Sequence, residues 1–197
     1  HPWANDRFDA IKKRDSISFY KAMITNTISS FKNFINKYPD SEFRDLAQRE
    51  VNSKEYTQAT PNRSLKEYIS FKKKFPNSPY VANAEKQIYL LQTKINTVDS
   101  YAQFISNFPT NRYVEEAWKR LFQIYMYEYS EERILSFQRD YPNYPFQKDL
   151  ENELALTKQI LLPFKNKNLF GWMNQDGKVI HKAEYDLLNI HNEGLAL

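Results

Sequence analysis

Apolar residues recur along most of this chain with the spacing of short amphipathic helices, each ending at an aromatic–proline pair. In the stretch SFKNFINKYPDSEF, residues 30–43, Phe31 and Phe34 lie three positions apart and therefore on one helix face. The pair Tyr38-Pro39 predicts the end of that helix, because proline lacks an N–H and disfavours helical geometry in the residue before it. The pattern resumes at Phe43, which predicts a second helix soon after the turn.

This pattern occurs four times, with a period of 37, 33 and 33 residues between the aromatic–proline pairs. The pairs are Tyr38-Pro39, Phe75-Pro76, Phe108-Pro109 and Tyr141-Pro142. Counted from each aromatic residue, six further positions match in type. They are a hydroxyl at −11 (Thr27, Ser64, Thr97, Ser130), an apolar residue at −7 (Phe31, Tyr68, Tyr101, Ile134), phenylalanine at −4 (Phe34, Phe71, Phe104, Phe137), an aromatic at +5 (Phe43, Tyr80, Tyr113, Phe146), Ala47, Ala84, Ala117 and Leu150 at +9, and Val51, Ile88, Leu121 and Leu154 at +13.

Each matching position has a physical role. The hydroxyl residue suits a helix N-cap, and Ser64 with Glu67 forms the sequence pattern of a full capping box. Ser78-Pro79 predicts a second N-cap followed by proline at the first helical position. Alanine at +9 allows a neighbouring helix to approach closely. One helix pair cannot bury its own apolar stripe, whereas stacked pairs can, so the period predicts a mainly α, solenoid-type repeat.

The glycines indicate a boundary between two kinds of structure. All three, Gly171, Gly177 and Gly194, lie near the C-terminal end of the chain. The spacing predicts a helical domain over residues 1–162, with an irregular first unit over 1–26, and a β segment over 163–197. Asp176-Gly177 predicts the tight turn of a β-hairpin, because it supplies a residue with positive φ.

The helical residues resemble the tetratricopeptide repeat. Trp118 to Tyr125, WKRLFQIY, is similar to its W-x₂-L-G-x₂-Y motif, with Phe122 in place of glycine. The recurrent ending F-x₃-[YF]-P-[DN]-S resembles a variant found in bacterial envelope proteins, including the outer-membrane barrel-assembly lipoprotein. The resemblance covers residues 27–160 and implies an α-α superhelix that binds protein partners.

Residues 164–197 resemble a WG repeat, on the positions Gly171, Trp172, Asn174, Gly177 to Ile180, Tyr185, Asp186 and Glu193 to Ala196. Such repeats occur in tandem, and one small sheet is marginally stable in water unless it packs on something. Two explanations stay open. Either Phe170, Trp172 and Ile180 dock on the last helix pair, or further copies follow Leu197, which the ending within the family's GLA phrase favours.

Charge and chemistry-bearing residues indicate no catalytic, cofactor or metal site. The net charge is +4, and we interpret Lys12-Lys13-Arg14 and Lys72-Lys73-Lys74 as solvated helix faces rather than a nucleic-acid site. No apolar run approaches the length of a membrane span, and cysteine is absent. Phosphate-binding glycine loops, nucleophile elbows and H-E-x-x-H are also missing. His181, Glu184, His191 and Glu193 match no zinc spacing, so we expect no metal there.

We therefore expect a non-enzymatic scaffold that binds a partner peptide or helix along a concave helical surface. Exposed positions off the core columns are the candidate contacts: Arg44, Asn83, Lys86, Glu116 and Arg120. Two alternatives are a cell-wall glycan module that uses the aromatics of the β segment, and the regulatory arm of a larger enzyme. By resemblance, the expected location is periplasmic or outer-membrane-associated, with peripheral or lipoprotein attachment through sequence outside this chain, and the cytoplasm stays open.

Overall fold

A computed structural model of the protein describes the backbone of residues 2–157, 161–174 and 176–185, and their side chains apart from residues 2–6 and 156. Within these ranges the chain forms nine helices followed by three strands, so the fold is mainly α. The helices are α1 (Pro2–Thr25), α2 (Ile28–Lys37), α3 (Arg44–Ala59), α4 (Leu65–Lys74), α5 (Val81–Gln92), α6 (Val98–Asn107), α7 (Val114–Tyr125), α8 (Glu131–Asp140) and α9 (Gln147–Thr157). The strands are β1 (Leu162–Asn166), β2 (Leu169–Met173) and β3 (Val179–Tyr185).

The chain divides into two compact units. Unit 1 contains His1–Asn96 and Gln103–Val114, and unit 2 contains Thr97–Ala102 and Glu115–Leu197. In unit 1, α1 to α5 pack consecutively, and the closest pairs are α2 with α3 and α4 with α5, across the aromatic–proline turns. In unit 2, α8 packs on α9 in the same way. No helix among the described residues is long and apolar enough to cross a membrane.

The buried side chains follow the predicted columns. Phe34, Phe71, Phe104 and Phe137 are at most 4% exposed, and Ala47, Ala84 and Ala117 are fully buried. The −7 residues, Phe31, Tyr68, Tyr101 and Ile134, are buried as well. The prediction that every copy buries the same helix faces is therefore confirmed, with Leu154 as a half-buried exception.

The longer first period arises from one extra helical turn. α3 has 16 residues, whereas α5 and α7 have 12. Four residues are close to the 3.6 residues of an α-helical turn, so the insertion lengthens the helix without rotating its buried face away from its neighbours.

All four predicted N-caps are confirmed. The Oγ1 of Thr27 accepts a hydrogen bond from the backbone N–H of Ser30, and the N–H of Thr27 donates to the Oγ of Ser30 in return. Ser64 with Glu67 and Thr97 with Ser100 form the same reciprocal pair. A serine can therefore replace the acid of the capping box, which the sequence reasoning missed. The other cap is Ser130, which accepts from the N–H of Arg133.

The prediction of a cap at Ser78 is wrong. α5 begins at Val81, with Tyr80 as its N-cap and no side-chain capping bond. The Oγ of Ser78 instead accepts a bond from the N–H of Tyr80 inside the turn. Proline at position 79 lies in that turn rather than at the first helical position.

A left-handed residue stands immediately before three of the caps. Asn26, Arg63 and Asn96 have φ values of 53°, 52° and 55°. Asparagine tolerates this region, whereas a long side chain such as that of arginine is strained there. The chain thus reverses direction between paired helices without any glycine.

The core of each repeat contains four aromatic rings in a fixed arrangement, which we call the ring quartet. Its members stand at −19, −4, 0 and +5 from each aromatic–proline pair, and the −19 column is a seventh match that the sequence reasoning missed. The quartets are Phe19, Phe34, Tyr38 and Phe43; Tyr56, Phe71, Phe75 and Tyr80; Tyr89, Phe104, Phe108 and Tyr113; and, in unit 2, Phe122, Phe137 and Tyr141 with Tyr144.

Ring geometry is nearly constant within the quartets. The −19 and −4 rings meet edge to face with centroids 4.9 to 5.5 Å apart in all four copies. The −19 and +5 rings stack at 4.8 to 5.1 Å in the first three copies. In the fourth copy, Tyr144 takes the stacking position on Phe122 at 5.6 Å, because the turn carries tyrosine where the others have serine or asparagine.

The C-terminal strands form an antiparallel sheet in the order β1-β2-β3. The turn between β2 and β3 contains Gly177 at φ 80°, and the N–H of Asn174 donates to the carbonyl of Lys178 at 2.9 Å, so the predicted hairpin is confirmed. β1 adds a strand that was not predicted, and it begins one residue before the expected boundary at 162–163. Residues from Asp186 onward, including Glu193 to Ala196 of the WG resemblance, lie outside the described residues.

Candidate partner-binding surface

The five predicted contact residues are all exposed, and the structure places them in both units. Arg44, Asn83 and Lys86 lie on α3 and α5 of unit 1, whereas Glu116 and Arg120 lie on α7 of unit 2. Glu116 and Arg120 form an ion pair across one helical turn at 3.5 Å, and Arg44 lies 3.9 Å from Asp45. Exposed pairs of this kind contribute little to stability, so these side chains are available for other contacts.

Asn83 also lines a cleft in unit 1, which we call the Tyr56 cleft. Its volume is about 310 Å³. The described lining residues come from the end of α3, the turn to α4, α4 itself and α5. They are Tyr56, Thr57, Thr60, Pro61, Arg63, Tyr68, Asn83 and Gln87, and they include no carboxylate.

Tyr56 links the ring quartet to this cleft. Its ring packs against Phe71 and Tyr80, while its hydroxyl donates a hydrogen bond to the Oδ1 of Asn83 at 2.6 Å. Burial, together with the neighbouring Tyr68, raises the pKa of Tyr56 to about 12, so the hydroxyl keeps its proton at neutral pH. The bond fixes the Asn83 amide with its Nδ2 donor group directed away from Tyr56.

Arg63 supplies the positive charge of the cleft. It is exposed and makes no ion pair with any other described residue. Arg63 stands immediately before Ser64, the N-cap of α4, and its backbone is in the left-handed conformation. A guanidinium group with free N–H donors is well suited to a carboxylate.

A buried ion network lies elsewhere in unit 1. Glu85 on α5 is 6% exposed, and its two carboxylate oxygens contact the Nζ of Lys72 at 2.6 Å and the Nε of Arg112 at 2.8 Å. The side chain of Asn111 donates to the backbone carbonyl of Glu85 at 3.1 Å. Burial alone would raise the pKa of Glu85, but the bonds and charges of Lys72 and Arg112 outweigh it and lower that pKa. Lys72 is therefore a structural residue and not simply part of a solvated lysine face.

The two units differ in net charge. By sequence, unit 1 carries 18 basic and 10 acidic side chains, a net of +8, and unit 2 carries 10 and 14, a net of −4. The total agrees with the +4 of the whole chain. The modest overall charge therefore conceals a strongly basic first unit, which the count over the whole sequence did not reveal.

A second, wider cleft lies in unit 2 and has the opposite character. Its volume is about 700 Å³, and its described lining includes Glu128, Tyr129, Glu132 and Arg133. The hydroxyl of Tyr129 donates to the carboxylate of Glu153, and burial with this bond raises the pKa of Tyr129. The guanidinium of Arg133 stacks on Tyr125 and donates to its carbonyl, so the cation here is already engaged.

The residues considered for chemistry do not assemble. His181 and Glu184 are exposed on β3, whereas His191 and Glu193 lie outside the described residues. Among the residues that the structure describes, no three His, Cys, Asp or Glu side chains are grouped to hold a metal ion. The paired carboxylates, Glu115-Glu116 and Glu131-Glu132, lie in the first turns of α7 and α8. Acidic side chains at this end of a helix interact favourably with the positive end of the helix dipole.

No protein-family model matches this chain, and no curated protein sequence matches it.

Proposed function

We propose that this chain is a tetratricopeptide-like, non-catalytic scaffold that binds a peptide segment or helix of a protein partner, followed by a WG-type β segment. The supporting observation is the regular separation of buried and exposed positions. Each copy buries the same ring set, while two equivalent positions of α5 and α7 are polar and exposed in both helices: Asn83 and Glu116 are 33 residues apart, as are Lys86 and Lys119. The position equivalent to Asn83 in α3 carries the apolar Leu46. Evenly repeated side chains suit recognition of an extended or helical segment.

The proposed contact residues are Arg44, Asn83 and Lys86 in unit 1, and Glu116 and Arg120 in unit 2. By the same resemblance, the proposed location is the periplasm or the outer membrane. A scaffold of this kind needs no cofactor, and its affinity would come from several moderate contacts rather than from one deep pocket.

Site-specific photocrosslinking in the producing cells tests this function. Benzoylphenylalanine at position 86 or 120 is expected to crosslink one and the same protein. The same probe at position 73, on the exposed side of α4, is the matched control. In each probe variant, charge reversal at two contact residues that carry no probe, Arg44→Glu and Glu116→Lys, should remove the product. Equal crosslinking at position 73, or no product at positions 86 and 120, would contradict the scaffold proposal.

A further inference from the structure

We propose that the Tyr56 cleft of unit 1 binds an acidic side chain of the partner segment, with Arg63 and Asn83 as the recognising residues. This inference rests on the proposed scaffold function and identifies the chemistry of the segment that is bound.

Arg63 and Asn83 both offer hydrogen-bond donors to a ligand in the cleft. Arg63 presents guanidinium N–H groups that pair with no described residue. The Oδ1 of Asn83 accepts the hydroxyl proton of Tyr56 at 2.6 Å, so the Asn83 side chain offers its Nδ2 hydrogens to a ligand. A carboxylate has two oxygens that accept such bonds, and arginine binds it in a bidentate geometry.

No acidic side chain among the described lining residues competes with a ligand carboxylate for Arg63 and Asn83. The described lining of the cleft contains no Asp or Glu. The nearby acid Glu67 is already occupied, because it accepts bonds from the backbone N–H groups of Asn62 and Ser64 and from the side chain of Asn62. These bonds lower the pKa of Glu67, with the Ser64 bond as the main cause, so it stays ionised and in place as a cap.

The net positive charge of unit 1 strengthens the attraction of an acidic segment to the cleft. With a net charge of +8, unit 1 draws an acidic segment toward it and increases the association rate at low salt. Several basic residues of this unit are neutralised by Glu or Asp, namely Arg14, Lys32, Lys72 and Arg112. Among its described lining residues, the cleft therefore combines one unpaired cation, Arg63, with the amide donor of Asn83. This combination fits a carboxylate within a peptide better than a continuous row of phosphates.

Fluorescence anisotropy with a short fluorescein-labelled oligoglutamate tests the inference on the whole chain. Arg63→Asn should weaken binding about tenfold or more, since a hydrogen bond to a charged group contributes about 1.5–3 kcal/mol. Because asparagine tolerates the left-handed backbone at this position, the variant is expected to stay folded. Asn83→Asp, which places a carboxylate in the cleft, should weaken binding to a similar degree.

The controls separate site recognition from general attraction. Lys73→Gln removes one exposed charge on α4 and should change the affinity by less than about twofold, as expected for a distant screened charge. An oligoglutamine peptide of equal length should not bind. Circular dichroism melting of each variant verifies that it is folded.

Four results would overturn the inference: no oligoglutamate binding, an equal loss with Lys73→Gln and Arg63→Asn, tighter binding of a charge-matched oligothymidylate, or binding of a neutral cello-oligosaccharide that Arg63→Asn leaves unchanged. Such a failure is distinct from failure of the scaffold proposal, because the crosslink from position 86 does not require an acidic ligand.

Discussion

The ring of Tyr80 stacks on the ring of Tyr56 with centroids 4.8 Å apart and planes inclined by 16°. The two residues are 24 positions apart, on either side of a complete helix, and Phe71 meets Tyr56 edge-on from that helix. The equivalent pairs Phe19–Phe43 and Tyr89–Tyr113 repeat this spacing and geometry. Each pair therefore ties the last helix of one hairpin to the turn within the next hairpin.

The ring quartet predicts which side-chain truncations lower the free energy of unfolding most. Phe71→Ala should lower the free energy of unfolding by about 3–5 kcal/mol, because a fully buried ring is lost and a cavity remains. Tyr127→Ala, at a residue that is 87% exposed, should change it by less than about 0.5 kcal/mol. Urea denaturation measures both values, and a small effect at Phe71 would show that the rings are not the main source of core stability.

Arg63 offers a stabilising substitution. Arg63→Asn should raise the free energy of unfolding by about 0.5–1 kcal/mol, because asparagine adopts the left-handed region at lower cost than arginine. The opposite change at the equivalent position, Asn26→Arg, should lower it by a similar amount. Thermal unfolding of both variants is the measurement, and effects of the same sign would contradict the strain argument.

The ion pairs of Glu85 should make an acid-sensitive contribution to the stability of the fold. Its pKa is lower in the folded chain than the ordinary value of 4.5, so as the pH falls the unfolded chain takes up the proton first. The contribution is therefore complete at neutral pH and is lost as the pH falls below about 4.5 through the folded pKa. Glu85→Gln should cost about 1.5–3 kcal/mol at pH 7, as for the loss of a hydrogen bond to a charged group, since both partner cations retain contact with water.

The matched control for this prediction is Glu50→Gln. Glu50 is exposed and has no ion pair among the described residues. Denaturation at pH 7 and at pH 3 should show a smaller acid-induced loss in the Glu85 variant than in the Glu50 variant or the parent chain. Equal losses in all three would exclude the ion network as the acid-sensitive element.

At Gly171 the sheet has no room for a side chain. A Cβ there would lie 2.6 Å from the backbone oxygen of His181 and 2.8 Å from the backbone nitrogen of Ala183, because β3 bulges over β2 at this point. Gly171→Ala should therefore abolish amide protection across β2 and β3 while the helices keep theirs. Gly177→Asn, at a turn position with open space, should leave the sheet protected. Hydrogen exchange distinguishes the two results.

Trp172 provides a test of the glycan alternative. In a variant with Trp3 and Trp118 replaced by phenylalanine, Trp172 fluorescence should stay constant on titration with cell-wall oligosaccharides if the helices are the binding surface. A saturable change would favour the β segment as a carbohydrate-binding module instead. The same titration with oligoglutamate should leave the signal unchanged.

Much of the helical fold was predictable because its determinants are local and periodic. The phenylalanine and alanine columns follow helix periodicity, and the caps and turns follow from hydroxyl residues and proline. The −19 ring was missed because a turn and the whole of α4 separate Tyr56 from its aromatic–proline pair, and because the longer α3 shifts its distance from the preceding pair. Looking for aromatics at a constant distance before each pair would have revealed it.

The candidate site was less predictable because it depends on contacts between residues far apart in sequence. Helix phase identified Asn83 as exposed, but not that Tyr56 fixes its amide. Nothing in the local sequence showed that Glu85 lies between Lys72 and Arg112, since periodicity does not determine which polar residues meet. The left-handed conformation of Arg63 also had no signal in its residue type.

The ring quartet has a consequence for how such a chain changes over time. Each quartet draws its members from both sides of one aromatic–proline turn, at fixed distances from it. A genetic duplication or excision of a single period therefore rejoins matching halves, and the new junction regains a complete set of rings. Arrays of this type can gain or lose modules by recombination while every hydrophobic interior remains intact.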